Sequence, residues 1–95
     1  MVELALSQRV SLAEDVLLQE LAGEAVLLNL DTESYFGLDE VGTSMLQALA
    51  AAPSIAAAQQ QLLNEYEVTP EALQRDLLAL IEQLVAHGLV RVTAA

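Results

Sequence analysis

Without a single cysteine, the chain has no disulfides and no thiolate metal site, a composition that suits a reducing cytoplasm. Lysine is absent too, so Arg9, Arg75 and Arg91 face fourteen acids, for a formal net charge of −11. Nucleic-acid affinity rests on Lys and Arg neutralising phosphates, so a duplex would repel this surface. No apolar run approaches the roughly 18–20 residues of a membrane span. The start, MVELALSQRV, has neither the basic head nor the small-residue cleavage site of a signal peptide. Aromatics are nearly missing, with one Phe and two Tyr. The expectation is a soluble, cytoplasmic chain of 95 residues forming one small domain, with residues 1–12 as a loosely ordered arm.

What the chain does have is concentrated first in Val26–Leu38, VLLNLDTESYFGL. Val26, Leu27, Leu28 and Leu30 form a short apolar run of the kind that makes a buried strand. Asp31-Thr32-Glu33-Ser34 is turn chemistry, because Asp and Ser bond their own backbone. Tyr35, Phe36 and Leu38 resume a strand, and Asp39 follows as a helix N-cap. If that second strand lies at a sheet edge, its unpaired N–H and C=O groups are a template for another chain. Upstream, two readings compete. Ser11-Leu12-Ala13-Glu14 matches a capping box with Leu12, Val16, Leu17 and Leu21 on a helix face. The same residues also fit a hairpin of Val16–Leu21 with Glu24–Leu30 through Ala22-Gly23, which the pattern favours without deciding.

Beyond Asp39 the period is helical. Val41, Met45, Leu46 and Leu49 share a face, and that helix stops at Pro53. Ser54 then caps a second helix carrying Ile55, Ala58, Leu62 and Tyr66 on one face. Thr69-Pro70 opens a third, which runs to His87 with Gly88 as its left-handed C-terminal cap. Leu89–Val92 reads as a last short strand. On the third helix Leu73, Leu77, Leu80 and Leu84 make a core stripe. Leu78, Ile81 and Val85 make a second stripe roughly 100° away, either covered by the domain itself or flooring a groove beside Tyr35–Leu38.

Catalytic chemistry is hard to find. His87 is the only histidine and its position suits interaction with the helix C-terminus. No metal-ligand cluster, nucleophile–base pair or phosphate-binding glycine loop is present, so neither an enzyme nor a cofactor is expected. Asp31, Glu33, Asp39 and Glu40 lack the spacing of a calcium loop. Gly42-Thr43-Ser44-Met45 superficially resembles the phosphopantetheine site of carrier proteins. It lacks the Asp before the Ser and follows strands rather than a long helix.

In this order the pieces resemble the PqqD family, peptide-chaperone domains also called RiPP recognition elements. Leu28-Asn29-Leu30-Asp31 with Tyr35-Phe36-Gly37-Leu38, Asp39–Thr43, Tyr66-Glu67-Val68, and Asp76, Leu80, Leu84 and Gly88 carry the resemblance over roughly 16–92. It implies an α+β, winged-helix-like fold, a three-stranded antiparallel sheet followed by three helices. It also implies that the leader segment of a ribosomally made precursor peptide adds as a strand to Ser34, Tyr35, Phe36, Gly37 and Leu38. The third helix would meet it through Arg75, Leu78, Ile81, Glu82 and Val85. A separate modifying enzyme, such as a radical SAM protein or a leader peptidase, would then receive the peptide. The alternative is a non-catalytic structural module that uses the same edge to close a homodimer.

Overall fold

A computed structural model describes residues 4–94. In chain order the elements are β1 (Arg9–Leu12), β2 (Val16–Leu21), β3 (Glu24–Asn29), β4 (Ser34–Leu38), α1 (Glu40–Ala51), α2 (Ile55–Glu65), α3 (Pro70–Ala86) and β5 (Val90–Thr93). Strands β2-β3-β4 form a three-stranded antiparallel sheet, and β1 pairs with β5 in a separate two-stranded one. This α+β arrangement fits the expected winged-helix-like architecture. Among the described residues no helix is long and apolar enough to cross a membrane.

The hairpin reading of 16–30 is the one that folds. Leu21 pairs with Glu24, leaving Ala22 and Gly23 as a two-residue turn with φ of 57° and 84°. Positive φ at both positions is what matches a tight turn to the twist of the flanking strands. The capping box at Ser11–Glu14 is not used. Ser11 and Leu12 lie in β1, where pairing with β5 buries Val10 and Val90. Part of the stretch expected as a loose arm is therefore a strand, and its residues 1–3 lie outside the described ones.

The turn between β3 and β4 closes by a different side chain from those expected. Asn29, not Asp31 or Ser34, organises the backbone: its Oδ1 accepts from the N–H groups of Asp31 and Thr32 at 2.9 and 3.3 Å. Its Nδ2 donates to the Gly88 carbonyl at 3.3 Å, so one half-enclosed amide joins the turn to the end of α3. Glu33 takes the left-handed conformation at φ 58°, and Thr32 and Ser34 share a hydroxyl hydrogen bond of 2.7 Å.

Each helix starts and stops where its local chemistry says. Asp39, Ser54 and Thr69 accept from the backbone N–H of Gly42, Ala57 and Ala72. At the end of α3, Gly88 has φ 69°, its N–H reaches the Val85 carbonyl, and the Leu89 N–H reaches that of Leu84. This pairing satisfies orphan helix carbonyls and plants Leu89, 1% exposed, in the core. Leu27, Leu46, Leu49, Ile55, Leu62, Leu77, Ile81 and Leu84 complete that core, at 2% exposure or less. Burying each stabilises the fold by about 1.5–3 kcal/mol before entropy is counted. Thr43, buried in α1, accepts from the Ala25 N–H at 2.9 Å and donates to the Leu38 carbonyl at 3.5 Å. That hydroxyl fixes the sheet against the first turn of α1.

Two substitutions test this account. Ala22→Gly relieves a left-handed alanine and should raise stability by up to about 1 kcal/mol, read as a higher urea midpoint at unchanged slope. Asn29→Ala strands a carbonyl and two turn N–H groups and should cost about 1–3 kcal/mol in the same titration.

Candidate functional site: the open edge of β4

Strand β4 hydrogen-bonds to β3 on one side and to no other strand among the described residues on its second. Its five residues alternate strictly. Leu38 is buried and Phe36 half-buried toward the helices, across from Ala25 and Leu27 of β3. Tyr35 and Gly37 project to the opposite face, across from Leu28 and Val26, and Tyr35 is 77% exposed. A free row of backbone donors and acceptors therefore runs between two chemically distinct sides.

One contact places the C-terminal end of α3 beside this edge, and a cavity lies between the helices further along. At one end the Phe36 ring meets the His87 ring, with centroids 5.1 Å apart and planes tilted by 57°. The Nδ1 of His87 pairs with the Gln83 carbonyl at 2.7 Å, so the ring reads the helix C-terminus as expected and faces β4 as well. At the other end, Val41 in the first turn after β4 shares a cavity of about 160 Å³ with Leu73 and Asp76 of α3. Met45, Leu62, Tyr66 and Val68 complete its apolar wall. Between those ends, Asp76, Leu80, Gln83 and His87 recur at spacings of 4, 3 and 4. At 100° per residue they fall within about 60° of one another. They share the face of α3 that carries His87 against Phe36.

The helix residues expected from sequence do not all belong to that face. Ile81 is fully buried and packs in the core stripe with Leu73, Leu77 and Leu84, so its side chain floors no groove. Leu80, expected in that stripe, is only half-buried. The stripe has rotated by one residue, because Leu80 and Ile81 are both apolar and only packing chooses between them. Leu78 and Val85, like Leu80, are half-buried against the core, on a flank about 170° around α3 from His87. Arg75 and Glu82 are exposed, and the Arg75 Nε lies 3.6 Å from Asp76 Oδ1 in a solvent-facing pair. The β4 residues Ser34–Leu38, by contrast, all stand at the edge.

Sequence reasoning gave His87 only half its surroundings, since Phe36 lies beside it, and did not foresee the cavity of Val41 and Asp76. The 4-3-4 recurrence of Asp76, Leu80, Gln83 and His87 was a usable signal. Nothing local says on which side of α3 the strand passes. Ser44 lies in the second turn of α1, half-buried beside the structural Thr43. Among the described residues no three His, Cys, Asp or Glu side chains converge as metal ligands would.

The family described as coenzyme PQQ synthesis protein D (PqqD) matches residues 24–90. Among curated proteins none matches. Among solved structures, TbiB1 in complex with the TbiA(beta) leader peptide superposes with a TM-score of 0.80 at 28% identity, covering 85% of this chain and 94% of that one. A lasso peptide synthetase B1 complexed with the leader peptide gives 0.79 at 26% identity, covering 87% and 98%.

The placement of α3 is open to a direct check. Ile81→Ala should cost about 2–5 kcal/mol by chemical denaturation. Arg75→Ala and Glu82→Ala should stay within about 0.5 kcal/mol of the parent.

Proposed function

From the premise that this chain belongs to the PqqD family, whose match spans residues 24–90, we propose that it binds the leader segment of a ribosomally made precursor peptide and catalyses nothing itself. The observation that carries this reading is the unpaired edge of β4 standing beside a half-apolar face of α3, in a fold whose solved neighbours hold leader peptides. The leader joins β4 as a fourth strand, and main-chain hydrogen bonds supply most of the affinity. Because its side chains alternate, every second one faces the groove. There they meet Phe36 and His87 at one end, Leu80 in the middle, and the cavity beside Val41 at the other. The groove binds by shape and apolar contact, since Asp76 at its wall is acidic and the nearest cation, Arg75, is held in an exposed pair.

Within this reading the whole chain acts as one peptide-recognition domain in the cytoplasm. It hands the bound precursor to a separate modifying enzyme, such as a radical SAM protein or a leader peptidase. Delegating recognition to a small binder lets the enzyme act on a peptide whose backbone is already ordered, so the ordering entropy is met in the binding step.

Fluorescence anisotropy tests the proposal, using a labelled leader from the precursor gene nearest to this one. Saturable binding is expected, weakened about tenfold or more, about 1.4 kcal/mol, by Phe36→Ala or Leu80→Ser. Leu78→Ser, on the far flank of α3, should leave affinity within about threefold, circular dichroism confirming that each variant is folded. Failure of the parent to bind any leader encoded nearby would overturn the assignment. Loss on Leu78→Ser with indifference to Leu80→Ser would move the site to the other side of α3.

A further inference from the structure

The sheet has a second face, and it is wet and apolar. Leu17 of β2, Val26 and Leu28 of β3 and Tyr35 of β4 all project away from the helices, as the pairing of Leu17 with Leu28 and of Leu28 with Tyr35 requires. Leu17, Val26 and Tyr35 are 49%, 45% and 77% exposed, and Leu30 just beyond β3 is 52% exposed. Gly37 keeps this face open: a Cβ built there meets nothing within 4 Å, so no side chain screens its partner Val26. Small soluble proteins seldom leave neighbouring large apolar side chains uncovered on three adjacent strands without a partner for them.

The charges around this face say what kind of partner. Residues 13–38 hold six acids and no Lys, Arg or His; Glu24 shares this face by register and Glu33 stands at its edge in the β3–β4 turn, while Glu20 turns to Gln47 of α1 and Glu14 pairs with Arg91. A second copy would bring the same acids against these, so self-association through this face is opposed by like charge. A complementary surface is apolar at its centre and rimmed with Lys and Arg. The face is also continuous with the proposed leader site. A strand added to β4 widens the sheet, and its side chains that point with Tyr35 extend this same surface.

We propose that the outer face of β2-β3-β4 is the docking surface for the enzyme that acts on the bound precursor, a protein with an apolar patch framed by basic residues, and that the added leader strand completes it. The inference rests on the leader-binding reading. It adds the surface, the chemistry of the partner, and a coupling: leader and enzyme each strengthen binding of the other by the same factor. Groove and docking face use opposite sides of one strand, so the enzyme can engage while the leader stays in place.

The test measures binding of the purified enzyme encoded beside the precursor gene to the immobilised full chain, with and without saturating leader. The variants are Leu17→Thr/Val26→Thr together and Glu24→Lys/Glu33→Lys together. Leader anisotropy is recorded on the same samples. The expected result is enzyme affinity that rises several-fold with leader, falls as salt rises, and drops about tenfold or more in both double variants. Leader affinity should stay within about twofold, since neither variant touches the groove. Unchanged enzyme affinity in the Thr variant would overturn the docking face while leaving leader binding intact. A parent chain that sediments as a dimer, and as a monomer once those residues are replaced, would assign the face to a second copy instead. Loss of leader binding by the parent would sink the underlying reading rather than the face.

Discussion

The geometry of the groove depends on the side-chain amide of Asn29. One oxygen closes the β3–β4 turn and one nitrogen reaches the carbonyl of Gly88, so the start of β4 is tied to the end of α3 across most of the chain. That tie brings Phe36 against His87 and sets the width between strand and helix at one end. At the other end of β4, Thr43 ties the sheet to α1, bridging Ala25 of β3 and the carbonyl of Leu38. Both polar groups are buried, at 6% and 3% exposure, where an unpaired donor or acceptor costs about 1–3 kcal/mol. Their partners are therefore obligatory. One tie joins the sheet to the end of α3 and the other joins it to the start of α1, on top of the apolar packing of Leu38 and Phe36.

Local chemistry in the sequence specified most of the elements. Asp39, Ser54 and Thr69 cap because their side chains reach N–H groups three residues on, and Gly88 ends α3 because it accepts a positive φ. Ser34–Leu38 was readable as a strand since turn residues and β-formers flank each other there. Strand β1 was not, because Arg9–Leu12 is four residues long and its partner β5 lies at the other end of the chain. The phase of α3 failed for a related reason. Leu80 and Ile81 are equally apolar and differ by about 100° around the helix, so the choice between core and groove belongs to α2 and β5 packing on it. The same non-local packing sets which α3 face carries Asp76, Leu80, Gln83 and His87 and which carries Leu78 and Val85.

An acidic chain with exposed leucines is internally consistent. A net charge of −11 opposes the approach of a second copy and so counters the self-association that exposed Leu17, Val26 and Leu30 would otherwise promote. Neutral residues at the same positions would make this sheet a sticky surface. The charge thus acts as selection among partners: it opposes a second copy and a nucleic acid alike, and favours a protein that carries the cations this chain lacks.

Among the described residues both edges of the three-stranded sheet are free, yet only one is suited to hold a peptide. Along β2 every residue after Val16 is exposed, on both faces, although Gln47 of α1 reaches Glu20 there. A strand added there would gain main-chain hydrogen bonds while its side chains stayed in water, and hydrogen bonds exchanged with solvent contribute only about 0.5–1.5 kcal/mol each. Along β4 the same hydrogen bonds come with burial, since alternate side chains would enter between Phe36, Leu80 and the cavity at Val41. Burying one such side chain is worth about 1.5–3 kcal/mol. Identical backbones therefore offer unequal affinities, and the inequality arises from where α3 lies. Main-chain pairing makes either edge adhesive; the neighbouring helix makes one of them selective.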